Sequence, residues 1–215
     1  VKSLQTVFLT DWYFVARQEL DGDRFFPTYQ VSEQKLVQII ASGPDSEWAN
    51  IMQAYFAAIT SAREHIYIST PYFTPNRSIM TALKTAALSG TDVRLILPGN
   101  SDARINLWSS YSYLEELLAA GVKAYIYQDG FTHGKMMMVD GVFASVGSAN
   151  MDIRSFDQNL EINALIYNRK TTLALEQSFW QDLQSCCELD LYSFRQRPIS
   201  HKLRESTARV FSPLL

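Results

Sequence analysis

A short segment of the chain, residues 133–150, collects side chains that could bind and attack a phosphate diester. His133 and Lys135 stand two residues apart, so in a strand both would project from the same face. Histidine acts as a nucleophile or as a general acid and base near neutral pH. Lysine and asparagine donate hydrogen bonds to non-bridging oxygens, on which negative charge builds up in the transition state. His133 is therefore the candidate for the chemical step, and Lys135 and Asn150 are candidates for binding the phosphate.

A β-hairpin is predicted to gather these groups at one end. Asp140 and the glycine that follows it separate two apolar runs, which is a strong hairpin signal. If these two residues form the loop, Val139 pairs with Val142 and His133 lies opposite Ser148. The hydroxyl of Ser148 then joins the imidazole, the ammonium and the amide as a further candidate for substrate binding.

Two acidic residues are candidates for orienting the histidine. Asp140 lies seven residues from His133, about 20 Å along an extended strand, so it is expected to form the turn instead. Glu161, on the next predicted strand, is the better candidate, and an exposed strand position is its alternative interpretation. A buried structural histidine is the alternative for His133, but the neighbouring Lys135 speaks against it because an unpaired buried lysine is costly.

The surrounding sequence predicts an α/β fold, because amphipathic helices alternate with short apolar strands. Helices are predicted at residues 1–20, 47–62, 78–88, 103–120 and 171–189, and strands at residues 36–41, 66–69, 93–97, 122–127 and 160–167. The C-terminal segment, residues 198–215, mixes basic and apolar residues. It is predicted either to pack as an ordinary helix or to lie as a basic amphipathic helix on a membrane surface.

The composition excludes several classes of protein. Hydrophobic residues make up 47% of the 215 residues, which is far too many for a disordered chain. A formal net charge of -3 gives no sign of nucleic-acid or anionic-membrane binding, and leaves open only a local basic patch. No apolar run approaches the roughly 18–20 residues of a spanning helix. Cys186 and Cys187 are adjacent, which indicates a reducing compartment, with buried helical thiols favoured over a reactive pair. Three scattered histidines give no support for a metal site.

The segment closely resembles the HKD motif of the phospholipase D superfamily. It matches that motif at every defining position, namely His133, Lys135, Asp140, Gly147, Ser148 and Asn150. Glu161 matches the acidic residue of the superfamily that hydrogen-bonds the catalytic histidine. Residues 69–75, 97–102, 113–118, 156–163 and 211–215 also resemble the C-terminal half of bacterial cardiolipin synthases. One departure is Ala103, where many relatives have a histidine.

The resemblance implies an α/β/α sandwich with a central mixed β-sheet and two homologous HKD halves in the intact enzyme. Residues 1–27 would be a helix and connection from the end of the preceding half, and residues 28–215 would be the C-terminal catalytic domain. The enzyme would join two phosphatidylglycerols into cardiolipin and release glycerol through a phosphohistidine, without a metal or other cofactor. It would act at the bacterial inner membrane, while this part alone would be soluble and inactive.

Residue roles follow from the same resemblance. His133 would be the general acid and then the base, with the nucleophile supplied by the missing N-terminal half or by a second copy. Lys135 and Asn150 would clamp phosphate oxygens, Ser148 would assist, and Glu161 would orient His133. Asp140 belongs to the catalytic motif but is expected to be structural. The partners would be a phospholipid, a membrane surface and the other half, with no nucleic acid.

Two alternative functions remain open at the level of sequence. One is a homodimeric phosphodiesterase or nuclease of the same superfamily, in which two copies of His133 form one site. The other is a non-catalytic domain that docks a membrane or a partner protein through Tyr72, Phe73 and the C-terminal helix.

Overall fold

The protein is described here by a computed structural model that covers residues 1–28, 30, 31, 33–101 and 103–212. Asp102 and residues 213–215, which belong to stretches of family resemblance, lie outside the described residues. The described helices are α1 (Lys2–Ala16), α2 (Asn50–Ser61), α3 (Arg77–Leu88), α4 (Arg104–Ala119), α5 (Ile153–Asp157), α6 (Arg169–Leu183), α7 (Leu191–Arg195) and α8 (Ile199–Val210). The strands are β1 (Val37–Ser42), β2 (His65–Ser69), β3 (Phe73–Thr74), β4 (Asp92–Pro98), β5 (Lys123–Tyr127), β6 (Met136–Val139), β7 (Phe143–Gly147), β8 (Met151–Asp152), β9 (Glu161–Ile166) and β10 (Cys186–Glu188).

One sheet organises the molecule, and its strand order is β1-β9-β7-β6-β2-β4-β5-β10. The central strands β2, β4 and β5 are parallel, whereas the strands on either side of them pair antiparallel. The short strands β3 and β8 form a separate parallel pair. The predicted α/β fold with a central mixed sheet is therefore confirmed.

Helices cover both faces of this sheet. Strands β2 and β4 are near-continuous apolar runs, as expected for parallel strands that are buried on both sides. On one face, α2, α3 and α4 contribute the larger core, in which Ile51, Ile79 and Leu114 are fully buried. On the other face, α6 places Phe179 flat against Tyr67, with ring centroids 5.1 Å apart. The layers are thus those of an α/β/α sandwich.

The segment around the two cysteines differs from the prediction. The helix predicted to continue to residue 189 ends at Leu183, and Cys186–Glu188 instead form β10, antiparallel to β5. The open edge of β5 supplies backbone partners for these residues, and a pattern read along the chain does not reveal such a non-local partner. Cys186 is half-buried and Cys187 is exposed, and burial raises the pKa of the Cys186 thiol to about 11. The interpretation as buried helical thiols is wrong.

The two terminal helices sit differently on the body. Every residue of α1 is exposed or half-buried, although the helix carries Phe8 and Trp12. Helix α8, in contrast, packs along α4, where the Tyr113 hydroxyl lies 3.0 Å from the Ser212 hydroxyl. The C-terminal segment therefore docks on the domain, as one of its two predicted interpretations requires. Among the helices of the described residues, none combines the length and apolarity needed to traverse a bilayer.

Candidate active site

The motif segment lies at the end of the sheet where the parallel strands β2 and β4 finish. Ser69, the last residue of β2, pairs with Met136, the first residue of β6, so His133 and Lys135 lie just beyond that edge. Crevices outside the carboxyl ends of parallel strands are the usual ligand sites of open α/β sheets. The fold therefore places the candidate chemical groups where such a sheet binds its ligands.

The hairpin register differs by one residue from the prediction. Val139 pairs with Phe143, not with Val142, so the loop holds three residues instead of two. Asp140 and Gly141 both adopt positive φ angles, of 52° and 65°. The backbone N–H of Gly147 donates to the carbonyl of Lys135 at 3.4 Å, and His133 lies outside the strand. The expected pairing of His133 with Ser148 is therefore wrong.

His133 presents an exposed ring at this edge. The ring contacts Phe131 at 5.2 Å and Tyr72 at 6.1 Å between centroids, the latter edge to face. No hydrogen bond to the ring is made by any residue that the structure describes. The Lys135 ammonium donates to the backbone carbonyl of His133 at 3.1 Å, which ties the lysine side chain to the loop that carries the imidazole. The two residues predicted from spacing are thus brought together at this edge, with the ring open to solvent.

Glu161 holds the serines of the site and makes no hydrogen bond to His133 in the described part of the chain. Its carboxylate accepts hydrogen bonds from the Ser148 hydroxyl, from the Ser155 hydroxyl at 3.0 Å and from the Asn159 amide at 3.2 Å. A hydroxyl has a single hydrogen to donate, so in this conformation Ser148 gives it to Glu161. The role of Glu161 as the acid that orients His133 stays a prediction for the assembled site.

Asn150 follows on the loop after β7. Its backbone N–H donates to the Ser155 hydroxyl at 3.1 Å, and its side chain hydrogen-bonds the carboxyl of Asp152. Burial raises the pKa of Asp152, and the hydrogen bonds from Ser155 and Asn150 oppose this shift only in part. The Oδ1 atom of Asn150 is buried and has no hydrogen-bond partner among the described residues. Such an orphaned polar atom is costly unless a ligand or water meets it.

A buried residue that the sequence reasoning did not single out, Asn163, fixes the loop. Its amide nitrogen donates to the hydroxyls of Tyr55 and Ser145, each at 2.9 Å, and its Oδ1 accepts from the N–H of Ala149 at 3.2 Å. These three hydrogen bonds fix the side chain of Asn163, which is therefore a rigid support for residues 147–150. Its place directly opposite Gly147 on β9 is visible only once the strands are paired.

Gly147 has a packing role that yields a sharp prediction. A Cβ atom there would lie less than 3.0 Å from the amide of Asn163 and from the carbonyl of Ile162. We expect Gly147→Ala to lower the free energy of unfolding by about 3 kcal/mol, because neither neighbour can move without breaking the pairing. Gly134→Ala is the matched control, since its Cβ would meet the flexible end of Met136 at 3.1 Å and the Ser69 hydroxyl at an ordinary 4.0 Å. Urea denaturation of both variants decides it, and equal losses would contradict the account.

Asp140 stands at the other end of the hairpin from His133, as the distance argument requires. Its carboxylate accepts from the backbone N–H groups of Arg63, Glu64 and His65 at 2.9, 2.8 and 2.9 Å. The adjacent N–H of Gly141 donates to Glu176, which also bonds His65 at 2.8 Å. Asp140 therefore ties the hairpin turn to the connection between α2 and β2.

The carboxylate of Asp140 gives a pH-dependent prediction. Burial opposes its ionisation, but the backbone N–H groups outweigh burial and lower the pKa of Asp140 below its ordinary value. A carboxyl whose pKa is lower in the folded than in the unfolded state, where it is near 3.9, stabilises the fold at pH values above 3.9. This stabilisation is lost as the pH falls through the pKa of the folded state. We expect Asp140→Asn to lower the free energy of unfolding by about 1–2 kcal/mol at neutral pH, and by less in acid.

Denaturation at neutral and acid pH measures the difference. Asp157→Asn is the matched control, because that exposed carboxylate makes no hydrogen bond within the described residues. A loss that stays constant with pH would show that the charge of Asp140 is not what stabilises the turn.

Within the described ranges, no group of three or more His, Cys, Asp or Glu side chains is arranged to hold an ion. The groups at the site are an imidazole, an ammonium, an amide and a carboxylate. Such groups can bind an anionic phosphate and exchange a proton with it.

Comparison with known proteins is consistent with this geometry. Residues 55–183 match the family profile described as cardiolipin synthase, PLD-like domain. The whole chain is 47% identical to a cardiolipin synthase of Geobacillus sp. (strain WCH70), over 217 residues that make up 43% of that protein. It is 44% identical to cardiolipin synthase 2 of Bacillus anthracis, of which it covers 42%. The chain thus spans less than half the length of these curated relatives.

Solved structures share the fold. Nuc from Salmonella typhimurium, a phospholipase D family member, aligns with a TM-score of 0.63 at 22% identity, over 73% of this chain and 99% of that chain. Phosphatidylserine synthase from Haemophilus influenzae aligns with a TM-score of 0.66 at 17% identity, over 83% of this chain and 48% of that chain. At these identities the likeness establishes the fold alone, and it confirms the expected phospholipase D-like architecture.

Proposed function

The chain belongs to the cardiolipin synthase family of phospholipase D-like domains, and we propose that it is the C-terminal half of a phosphatidyltransferase. The proposed reaction joins two phosphatidylglycerols into cardiolipin and releases glycerol. The observation that carries the proposal is the exposed imidazole of His133, whose backbone carbonyl accepts from the Lys135 ammonium, in a chain 47% identical to a cardiolipin synthase. Helix α1 and the connection up to residue 27 would belong to the end of the preceding half.

The reaction divides into two displacements at phosphorus. In the first, a histidine of the other half attacks phosphorus, a P–N bond forms, and the P–O bond to glycerol breaks. His133, in its protonated form, gives its proton to the departing glycerol oxygen. In the second, neutral His133 takes the proton from a hydroxyl of the second phosphatidylglycerol, whose oxygen attacks phosphorus as the P–N bond breaks.

The other residues of the site stabilise charge or hold position. Lys135 and the Asn150 amide would face the non-bridging oxygens, where the charge of the pentacoordinate state builds up. Ser148 and Glu161 would keep the loop after β7 in place through their mutual hydrogen bond. Asp140 would act on the turn and not on the reacting atoms.

The lipid substrate and the membrane complete the proposal. Phosphatidylglycerol lies in a bilayer, so the intact enzyme would work at the bacterial inner membrane. The partner of this chain would be the preceding half, which would contribute the second HKD motif. The proposed reaction requires no metal or organic cofactor, because the imidazole, the ammonium, the amide and the carboxylate of the site supply the acid, the base and the anion-binding contacts.

Product analysis tests the proposed reaction. The chain combined with the preceding half should convert phosphatidylglycerol in vesicles into cardiolipin and an equal amount of free glycerol. Release of phosphatidic acid alone would indicate a hydrolase, and cleavage of DNA without lipid turnover would indicate a nuclease. Either result would replace the proposed transferase.

A further inference from the structure

Helix α8 exposes an apolar face that the rest of the domain leaves uncovered. Ile199, Leu203 and Val210 are 83%, 66% and 76% exposed. Their spacing of four and seven residues places them on one side of the helix. The opposite side, which carries Ala208, is the one that packs against α4. The apolar side chains are therefore not needed for docking.

The uncovered face continues onto the beginning of α4. A shallow groove between the two helices is lined by Ile105 and Trp108 of α4 and by Leu203 and Phe211. Both Ile105 and Phe211 are themselves exposed. Together these residues and the apolar face of α8 form one continuous surface, here called the α4/α8 surface.

Two positive charges flank the α4/α8 surface. Residues 191–215 hold five of the 19 Lys and Arg residues of the chain, but one of its 22 Asp and Glu residues. Arg195, Arg197 and Arg209 of this segment form ion pairs with glutamates. Lys202 and Arg204 have no carboxylate within ion-pair distance in the described part of the chain. The Arg204 guanidinium instead lies over the Trp108 ring, 5.9 Å from its centroid.

The α4/α8 surface lies at the same end of the sheet as His133. Helix α4 begins just after β4 ends at Pro98, so Ile105 stands near the edge where β2 also ends. Leu203 and Ile105 line the same groove there, while Ser212, just beyond the C-terminal end of α8, reaches Tyr113, deeper along α4. Phe131, which touches His133, is 44% exposed at this same end. The candidate active site and the basic apolar surface therefore share one side of the molecule.

We propose that the α4/α8 surface lies on an anionic lipid bilayer and holds the His133 site at the level of the phosphate groups. Leu203, Ile199 and the groove residues would enter the interface, since an amphipathic helix with basic flanks binds in this way. Arg204 would extend to lipid phosphates while its stem covers apolar surface. Lys202, whose ammonium donates to the Arg195 carbonyl at 2.7 Å, would add its charge at the edge of the surface. This inference rests on the proposed function, in which the substrate is a lipid held in such a bilayer.

Charge complementarity favours a bilayer over a protein partner. The exposed apolar side chains of α8 are flanked by Lys202 and Arg204, which form no ion pair with the residues that the structure describes. A planar array of phosphates meets both features at once. A second copy of this chain or the preceding half is the competing occupant, and the experiment separates the two.

The test is co-sedimentation of the chain with vesicles of phosphatidylcholine and phosphatidylserine in equal parts. Phosphatidylserine supplies negative charge without being the proposed substrate. Each basic residue near such a surface contributes roughly 1 kcal/mol, which is about fivefold in affinity. The double variant Lys202→Gln with Arg204→Gln should therefore bind about 25-fold more weakly. Leu203→Ser should weaken binding as well, and its exposed position leaves folding intact.

The matched control is Arg63→Gln with Arg169→Gln, which removes two exposed charges away from this surface and should bind like the original chain. A chain that does not sediment, or equal binding by the two double variants, would overturn the proposal. The proposal would also be overturned if light scattering showed that Leu203→Ser converts a dimer into a monomer while vesicle binding stays unaltered. Sedimentation measures no catalysis, so a chain that fails to bind vesicles is distinguished from one that fails to form cardiolipin. The His133→Ala variant should therefore sediment with vesicles as the original chain does.

Discussion

Replacing His133 with alanine is expected to abolish phosphatidyl transfer by the chain combined with its preceding half. Loss of a general acid and base alone lowers a rate by about 10²–10⁴-fold, and both displacements depend on this imidazole. The ring is exposed and its contacts are with Phe131 and Tyr72, so the free energy of unfolding should change little. The initial rate of cardiolipin formation, read beside a thermal melt, measures both expectations.

The same assay separates the anion-binding groups from structural ones. Lys135→Ala and Asn150→Ala should also lower the rate strongly, because they remove donors to the charge that develops at phosphorus. His201→Ala is the matched control, since it removes an equally exposed histidine from α8. Near-normal transfer by the His133 variant would remove that residue from the mechanism, and an equal loss in the His201 variant would point to a general defect.

The positions of the chemical groups could be predicted because they depend on short spacings. His133 and Lys135 are neighbours along the chain, and the Asp-Gly turn lies between two apolar runs, so local geometry brings the segment together. The alternation of helices and strands likewise follows from periodicity. The one-residue register shift could not be predicted from the sequence, because the carboxylate of Asp140 is held by backbone N–H groups that lie 75 to 77 residues away along the chain.

Long-range pairing also explains the other differences. Cys186 and Cys187 join a strand because β5 has an open edge, which helical periodicity cannot report. Asn163 supports the loop of Ser148 because β9 lies beside β7, a fact of sheet order and not of spacing. Glu161 was expected to hydrogen-bond His133, but its carboxylate accepts from the Ser148 hydroxyl instead. Ser148 follows the end of β7, directly beside the start of β9, where Glu161 lies.

The chain alone is expected to be silent toward phosphatidylglycerol. In-line displacement needs a nucleophile on one side of phosphorus and an acid for the alkoxide that leaves on the other. The chain has three histidines, and two are elsewhere: His65 is bonded to Glu176 at the far end of β2, and His201 lies on α8. His133 is then a single imidazole at the site, so the second must come from another HKD motif.

The exposed helix α1 offers a surface that the preceding half could cover. Phe8 is 52% exposed, and Trp12 beside it is exposed as well, so we expect the preceding half to cover them. Without that half, the chain should self-associate through this apolar surface. Two copies could bring two His133 rings together, but a productive symmetric site would require the surface that we propose for the preceding half to pair with itself.

Complementation decides between these outcomes. The purified chain should yield no cardiolipin by thin-layer chromatography, and mixing it with the separately produced preceding half should restore synthesis. The His133→Ala chain should fail to complement, whereas the His201→Ala chain should complement fully. Synthesis by the chain alone that disappears with His133→Ala would instead establish a self-sufficient dimer, in which one imidazole attacks phosphorus and its symmetry mate protonates the alkoxide. Because such a dimer needs two intact rings, mixing original and His133→Ala chains would then reduce activity more than in proportion to the variant added.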